Sequence, residues 1–323
     1  AETYFKIGIA LQHQGKLEEA IKAYNKSISL KPDHAQAYNN MGVALQHQDK
    51  FEKAIEAYNK SLLLNPDYAE AYSNIGNIHH DQGKLELAIE FYTKSILIKP
   101  DYAQAYKNMG KVLADQGKYK KSIEAYNKAL SIKPDYESVR ADRLHLQAHF
   151  CDWNSIEEDR KMISTLGTFD KSVIPFFMIY LEDAPERHYL RSKVYATNKY
   201  PQKPIPIKSK PLKKPERIRI GYFSADFKTH PVAFLIKKVI EQHNRDKFEI
   251  FAYSLTNNKE DELKKQLEKS FDAFKDVSKI NDKEVALLSR KDNIDIAIDL
   301  NGFTINSRSS IFAYRAAPIQ INY

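Results

Sequence analysis

The sequence of 323 residues is poor in cysteine and has no long apolar segment. Its one cysteine, Cys151, excludes an internal disulfide and a cysteine-based zinc site, which is typical of a reducing compartment. We therefore expect a cytoplasmic protein. The longest apolar run, Val173–Leu181, is far shorter than the roughly 20 residues that a membrane-spanning helix needs. The sequence thus predicts no membrane partner.

Glycine is scarce in the second half of the chain. Only Gly167, Gly221 and Gly302 follow Gly117, so neither a Walker loop nor the G-x-G-x-x-G dinucleotide motif is present. The G-x-S-x-G and H-E-x-x-H motifs are absent as well. These absences exclude the ATPase, kinase and NAD-binding classes and the commonest hydrolases.

Basic residues outnumber acidic ones by 50 to 42, but most of the excess lies in one short segment. Residues 199–217 contain seven basic residues, one acidic residue and five prolines. Proline favours extended, exposed backbone, so we interpret this segment as a linker. Because the charge is not spread over a folded surface, we expect no nucleic-acid partner.

A repeat of 34 residues fills positions 1–134. Its glycines and prolines recur with that spacing, at Gly8, Gly42, Gly76 and Gly110 and at Pro32, Pro66, Pro100 and Pro134. The pattern resembles the tetratricopeptide repeat, in which small residues let two antiparallel helices approach. We expect the Lys-Pro-Asp at positions 31–33 to break one helix and cap the next. The sequence therefore predicts four repeats that form an α-solenoid, with a groove lined by the first helix of each pair.

Asparagine recurs at position 6 of the repeat, as Asn40, Asn74 and Asn108. Each amide offers a donor and an acceptor, which suits the backbone of an extended peptide. We predict a peptide groove, and the alternative is a row of solvated polar residues. A clamp for a terminal carboxylate would need several Lys and Arg side chains. Phe5, Asn39 and Ser73, at the neighbouring position, do not supply them.

Residues 135–198 keep a helical pattern without the repeat and are interpreted as a transition region. His145, His149 and Cys151 have a spacing that could suit a metal, but no fourth ligand is evident nearby. We expect these side chains to serve in packing, and we predict no metal site.

From residue 218 onward, strand-like apolar segments alternate with helical ones. Strands are predicted at 218–224, 248–255, 273–277, 294–300 and 319–323, with helices at 232–243, 259–269, 282–291 and 307–314. This alternation indicates a parallel sheet covered on both faces, so the predicted class is α plus α/β. Ligands of such sheets bind beyond the carboxyl ends of the strands. The loops that follow the first and fourth strands are therefore the candidate site.

Several motifs together resemble the family of O-GlcNAc transferases and Spindly-type glycosyltransferases, and residues 175–186 resemble its bacterial branch. The motifs are the Cys-Asp-Trp of residues 151–153, the Arg-Ile-Arg-Ile-Gly-Tyr-Phe-Ser-Ala-Asp-Phe-x-x-His-Pro of 217–231, the Asp-Leu-Asn-Gly-Phe-Thr of 299–304 and the Ala-Pro-Ile-Gln of 317–320. The resemblance implies an inverting GT-B enzyme that needs no metal or other cofactor. Residues 218–323 would form its N-terminal Rossmann-like half, truncated at Tyr323. We therefore expect an excerpt of a longer protein that is inactive by itself.

The resemblance also implies roles for three residues. His230 matches the cleft histidine and is the candidate catalytic residue, while Asn301 and Thr304 match the loop near the sugar and acceptor. A histidine can act as a base or as a hydrogen-bond donor, although a histidine at such a turn can also serve only to pin the loop. We expect Asp226 to stabilise the turn and cap the helix that follows.

Three classes of function stay open from the sequence. The first is a protein O-glycosyltransferase that moves GlcNAc from UDP-GlcNAc to Ser or Thr hydroxyls, with GDP-fucose as the alternative donor. The second is a peptide-binding adaptor without catalysis, and the third is a transferase that acts on a glycan or small molecule. The first predicts two partners, a nucleotide sugar and a Ser/Thr-containing protein.

Overall fold

The computed structural model describes residues 1–157, 159–206, 216–256, 261–304 and 307–322. Internal contacts divide the chain into two compact units, residues 1–161 and 162–323. The division falls inside the predicted transition region, 135–198. The predicted domain bounds of 1–134, 135–198, 199–217 and 218–323 stay a prediction, and residues 207–215 of the predicted linker lie outside the described part.

Paired helices make up the first unit. The four repeats contain α1 (Glu2–His13), α2 (Leu17–Leu30), α3 (Ala35–Gln46), α4 (Phe51–Leu64), α5 (Ala69–Asp81), α6 (Leu85–Ile98), α7 (Ala103–Asp115) and α8 (Tyr119–Ile132). Three further helices follow, α9 (Glu137–His149), α10 (Trp153–Glu157) and α11 (Arg160–Ile163). Helix α9 packs on the last repeat through Val139 and Leu146, so the solenoid packing continues for one helix beyond residue 134.

The close approach of paired helices depends on the glycine at position 8 of each repeat. A Cβ atom on Gly42 would lie 2.6 Å from Cε1 of Tyr58, and the same contact recurs in the other repeats. The tyrosine is buried on the second helix of the pair, where its ring covers the bare glycine backbone. This confirms the prediction that small residues bring the two helices together.

The turn between repeats differs from the prediction. Residue 34 of the repeat, not the aspartate at 33, stands at the helix start, and no side chain caps it. The reason is that His34 N–H bonds Lys31 O (3.2 Å), which leaves Asp33 inside a turn that precedes the helix. A buried serine bonds the start of α3 instead: Ser61 Oγ donates to Ala35 O at 2.8 Å.

A parallel sheet forms the second unit. Its strands are β1 (Ile218–Ser224), β2 (Phe248–Ser254), β3 (Ala273–Asp276), β4 (Ile296–Asp299) and β5 (Ile319–Asn322). The helices are α12 (Pro185–Lys199), α13 (Pro231–Glu241), α14 (Glu262–Ser270), α15 (Asp282–Lys291) and α16 (Ser310–Ala313), with a 3₁₀ helix at Pro175–Met178. Apolar clusters cover both faces of the sheet. The predicted order of strands and helices is confirmed.

The strand order is β3-β2-β1-β4-β5, and every pair of neighbours is parallel. The chain runs from β1 outward to β3 and then returns to β4 on the other side of β1. The loops after β1 and β4 therefore lie at the topological switch point, where open α/β sheets bind ligands. None of the described helices is both long and apolar enough to cross a membrane.

The last predicted helix, 307–314, is shorter than expected and covers only Ser310–Ala313. The side chains before it are used for tertiary bonds. Arg308 donates to Val277 O (2.8 Å) and Ile280 O (2.6 Å), and Ser309 Oγ donates to Gly302 O (2.7 Å).

Candidate functional site

The loops after β1 and β4 are joined by the side chain of Asn301. Its Oδ1 accepts from the N–H of Ala225 at 2.7 Å, and its Nδ2 donates to Oδ2 of Asp226 at 2.7 Å. Asn301 is buried, with 6% of its surface exposed. Both ends of the amide thus serve the protein itself, and Asn301 holds the β1 loop against the β4 loop.

The β4 loop is a turn built around a buried carboxylate. Oδ1 of Asp299 accepts from the N–H groups of Asn301 (2.9 Å) and Gly302 (3.1 Å). Burial raises the pKa of this carboxyl, and the two N–H bonds only partly oppose that effect. Gly302 has φ +57°, the left-handed region that glycine adopts without strain. Exposed Thr304 closes the turn, because its Oγ1 donates to Asn301 O at 2.9 Å.

His230 ends the β1 loop and stands at the N-terminus of α13. Its Nδ1 accepts from the N–H of Val232 at 3.3 Å, and Pro231 begins the helix. An Nδ1 that accepts carries no proton, so the neutral ring has its proton on Nε2. Nδ1 also lies 3.8 Å from Oδ2 of Asp226, beyond hydrogen-bond distance. The prediction that Asp226 caps the helix is wrong: its carboxylate is taken by Asn301, and His230 provides the cap.

The predicted groove asparagines form an amide network with their neighbours. Nδ2 of Asn74 donates to Asn39 Oδ1 (3.1 Å), and Nδ2 of Asn39 donates to Asn40 Oδ1 (3.3 Å). In the next repeats, Nδ2 of Asn108 donates to Asn77 Oδ1 at 2.8 Å. The Asn74 and Asn108 bonds run from the first helix of one pair to the first helix of the next, and the Asn39 bond stays within α3. The three predicted asparagines are half-buried on first helices, and their role as a peptide groove stays a prediction.

The end of the predicted groove in the fourth repeat is charged, whereas Phe5, Asn39 and Ser73, at the same position of the first three repeats, are uncharged. The equivalent residue of the fourth repeat is Lys107, whose Nζ donates to Ser138 Oγ at 3.1 Å. Asp142 of α9 continues the column after Asn108. Burial raises the pKa of Asp142 to about 6, against the opposing effect of Lys107 and Lys111.

His145 and His149 pack with rings, but Cys151 is exposed, so the prediction that it serves in packing is wrong. The His145 and His149 rings lie 6.4 Å apart, and the His149 ring lies 5.3 Å from that of Phe150. Among the residues that the structure describes, no group of three His, Cys, Asp or Glu side chains could hold a metal ion.

Comparison with known sequence families identifies both parts of the chain. Residues 192–323 match glycosyl transferase family 41, and residues 1–64, 33–99 and 67–135 match the tetratricopeptide repeat. The chain therefore joins a segment that matches the tetratricopeptide repeat to one that matches family 41. The resemblance inferred from the motifs is therefore confirmed. The family 41 segment includes β1 to β5 and both loops of the candidate site.

Individual proteins are similar to parts of this chain. The probable UDP-N-acetylglucosamine--peptide N-acetylglucosaminyltransferase SEC of Arabidopsis thaliana is 40% identical over 33% of this chain and 11% of its own length. A similarly named SPINDLY protein of the same plant is 35% identical over 35% of this chain and 13% of its own length. A solved structure, an O-GlcNAc transferase mutant of Thermobaculum terrenum, is 25% identical with a TM-score of 0.46, covering 90% of this chain and 50% of that one. The matches to the plant relatives thus span about a tenth of their length.

Proposed function

We propose that this chain belongs to a protein O-glycosyltransferase that transfers GlcNAc from UDP-GlcNAc to Ser or Thr hydroxyls of peptides. The observation that carries the proposal is the family 41 segment, whose β1 and β4 loops meet at the switch point of the sheet. The names of the plant relatives support the donor and the acceptor class. The repeats, with their column of half-buried asparagines, would hold the acceptor in extended form.

In this reaction the hydroxyl oxygen of the acceptor bonds the anomeric carbon of the sugar while the bond to the UDP oxygen breaks. The hydroxyl proton leaves in the same process and is taken up by a phosphate oxygen of the donor, which departs as UDP. We propose that His230 contacts the acceptor or the sugar through Nε2. Because its Nδ1 accepts from Val232 N–H, the neutral ring presents Nε2–H, a donor. This geometry favours hydrogen bonding over proton abstraction by His230.

Asn301 and Thr304 are proposed to act on the site in different ways. The buried Asn301 amide is used within the protein, so it would shape the sugar-binding loop rather than bind the sugar through its side chain. Thr304 is exposed, and its Oγ1 keeps acceptor capacity beyond the bond that it donates to Asn301 O.

Sugar transfer from radiolabelled donors to a Ser/Thr-containing peptide tests the function. The gene product that contains this chain should transfer GlcNAc from UDP-GlcNAc and should transfer little fucose from GDP-fucose. The reverse preference would support the fucosyl alternative. Peptide binding without transfer from either donor would support the adaptor alternative.

The chain by itself is expected to bind neither donor tightly, because the family resemblance places most of the nucleotide site in the second half of a GT-B enzyme. Calorimetry with UDP-GlcNAc and GDP-fucose measures this directly. A submicromolar Kd for either donor would show that residues 1–323 already hold the nucleotide site.

A further inference from the structure

A single carboxylate joins the His230 loop to a neighbouring helix. Asp261 is the N-cap of α14, where its Oδ1 accepts from the N–H of Lys264 at 2.7 Å. Its Oδ2 accepts from the N–H of Thr229, also at 2.7 Å. Thr229 directly precedes His230. The same side chain therefore starts a helix and bonds the residue next to the candidate catalytic histidine.

These are bonds to a charged acceptor, which are stronger than bonds between neutral groups. They hold the pKa of the Asp261 carboxyl below its usual value, and the Thr229 N–H is the largest cause. Like an ordinary aspartate, this carboxylate is ionised at neutral pH, so both bonds persist there.

Other side chains hold the loop at a greater distance from His230. Asn301 accepts from Ala225 N–H, and Thr256 Oγ1 donates to Ala225 O at 2.7 Å. Ala225 lies five residues before His230. The bond that the Thr229 N–H donates to Asp261 thus acts at the end of the loop next to His230.

We infer that Asp261 is a positioning residue, which sets the backbone at residue 229 and through it the direction of the His230 ring. Its catalytic consequence rests on the proposed function, but its effect on the loop does not. Asp261 lies outside the motifs that carry the family resemblance.

Asp261→Ser should remove the bond to Thr229 and keep the helix cap, because serine still caps a helix but is too short to reach Thr229. Asn281→Ala is the matched control: Asn281 caps α15 through the N–H of Glu284 (3.0 Å). Amide hydrogen exchange of the full chain should show Thr229 exchanging about tenfold faster or more in Asp261→Ser, as expected when a bond to a charged group is lost. It should be unchanged in Asn281→Ala. Unaltered exchange at Thr229 in both Asp261→Ser and Asp261→Ala would overturn the inference.

Activity provides the second readout. In the active gene product, Asp261→Ser should lower kcat by about tenfold while KM for the donor stays the same. The reason is that the loss of one hydrogen bond to a charged group is enough to change a rate about tenfold. In a His230→Ala background the substitution should have no further effect. An equal loss in both backgrounds would contradict action through His230. If the wild type transfers no sugar, the proposed function fails, and the exchange experiment still decides whether Asp261 holds the loop.

Discussion

The repeat unit and the sheet unit build their polar contacts over different separations along the chain. In the repeats, Ser61 bonds Ala35 and Asn74 bonds Asn39, which are 26 and 35 residues apart. In the sheet unit, Asn301 bonds Ala225 and Asp226, which are 76 and 75 residues apart. The first kind of contact recurs with the repeat, whereas the second occurs once. A repeat contact is therefore visible as a period in the sequence, and a crossover contact is not.

Loss of His230 should produce the largest effect, on activity, together with a stability loss of about 0.5 to 2 kcal/mol for the removed helix cap. His230→Ala should lower turnover of the active gene product by about a hundredfold or more, the effect of removing one hydrogen-bond donor that acts in the transition state. His230→Asn should recover part of the activity, because asparagine both caps a helix and donates a hydrogen bond. Steady-state kinetics and melting curves measure the two outcomes, with His47→Ala on the exposed repeat surface as control.

The outcome for His230→Asn decides the role of the ring. Activity as low as that of His230→Ala would indicate proton transfer. Near-normal activity of His230→Ala would exclude a catalytic role.

Asn301→Ala should destabilise the sheet unit most, because one side chain satisfies two partners from a distant loop. It leaves the N–H of buried Ala225 and the carboxylate of Asp226 without that partner. We expect a loss of about 2 to 3 kcal/mol in the free energy of unfolding. Denaturant unfolding should show the loss only in the sheet transition. Thr304→Val, which removes one bond at an exposed residue, should cost less than about 1 kcal/mol.

Gly76→Ala should affect one repeat. The added Cβ would lie 2.7 Å from Cε1 of Tyr92, a fully buried ring that cannot move aside. Overpacking costs about 1 to 3 kcal/mol, and alanine regains up to about 1 kcal/mol of helix propensity. We expect a net loss of about 1 to 2 kcal/mol. A double-mutant cycle with Tyr92→Leu checks the cause, since the glycine substitution should cost less once the ring is gone.

Replacing Asn40, Asn74 and Asn108 together with alanine should weaken binding of extended Ser/Thr peptides several-fold and leave the helices intact. The expected change is about 1 kcal/mol of binding free energy, typical of a few solvent-competed hydrogen bonds. Fluorescence titration measures the affinity, and circular dichroism measures the helicity. Asn25 and Asn59, exposed on second helices, provide the alanine control. Equal affinity in all variants would remove this surface from peptide binding.

The smallest expected effect concerns His79, which stands where the other repeats have Leu11, Leu45 and Leu113. Burial, and secondarily Lys84, lowers the pKa of His79, and its buried Nδ1 has no partner among the described residues. The unfolded chain therefore binds the proton more readily, and stability falls as the pH drops below about 6.5. His79→Leu should reduce this acid sensitivity by less than about 1 kcal/mol, because the ring is only half-buried. Unfolding at pH 8 and pH 5 gives the difference, and an unchanged acid loss would exclude His79 as its source.

Much of the fold could be predicted because its causes are local or periodic. The 34-residue spacing of Gly42 and its equivalents predicts the helix pairs. The alternation of strand and helix segments after residue 218 predicts the sheet. The cap at Asp33 was wrong because one turn bond, His34 N–H to Lys31 O, moves the helix start by a residue. The helix at 307–314 was too long because Arg308 and Ser309 bond distant carbonyls, which local propensity does not contain.

The sequence alone determined that four helix pairs precede a parallel sheet, and it predicted a candidate site in the loops after β1 and β4. Tertiary structure decided what the residues of those loops do. It assigned the Asn301 amide to the opposite loop, the helix cap to His230 instead of Asp226, and the Thr229 bond to Asp261 from another helix. The physical reason is that a hydrogen-bonding side chain serves whichever partner the fold brings within about 3 Å, and strand crossover selects that partner from residues far away in the sequence.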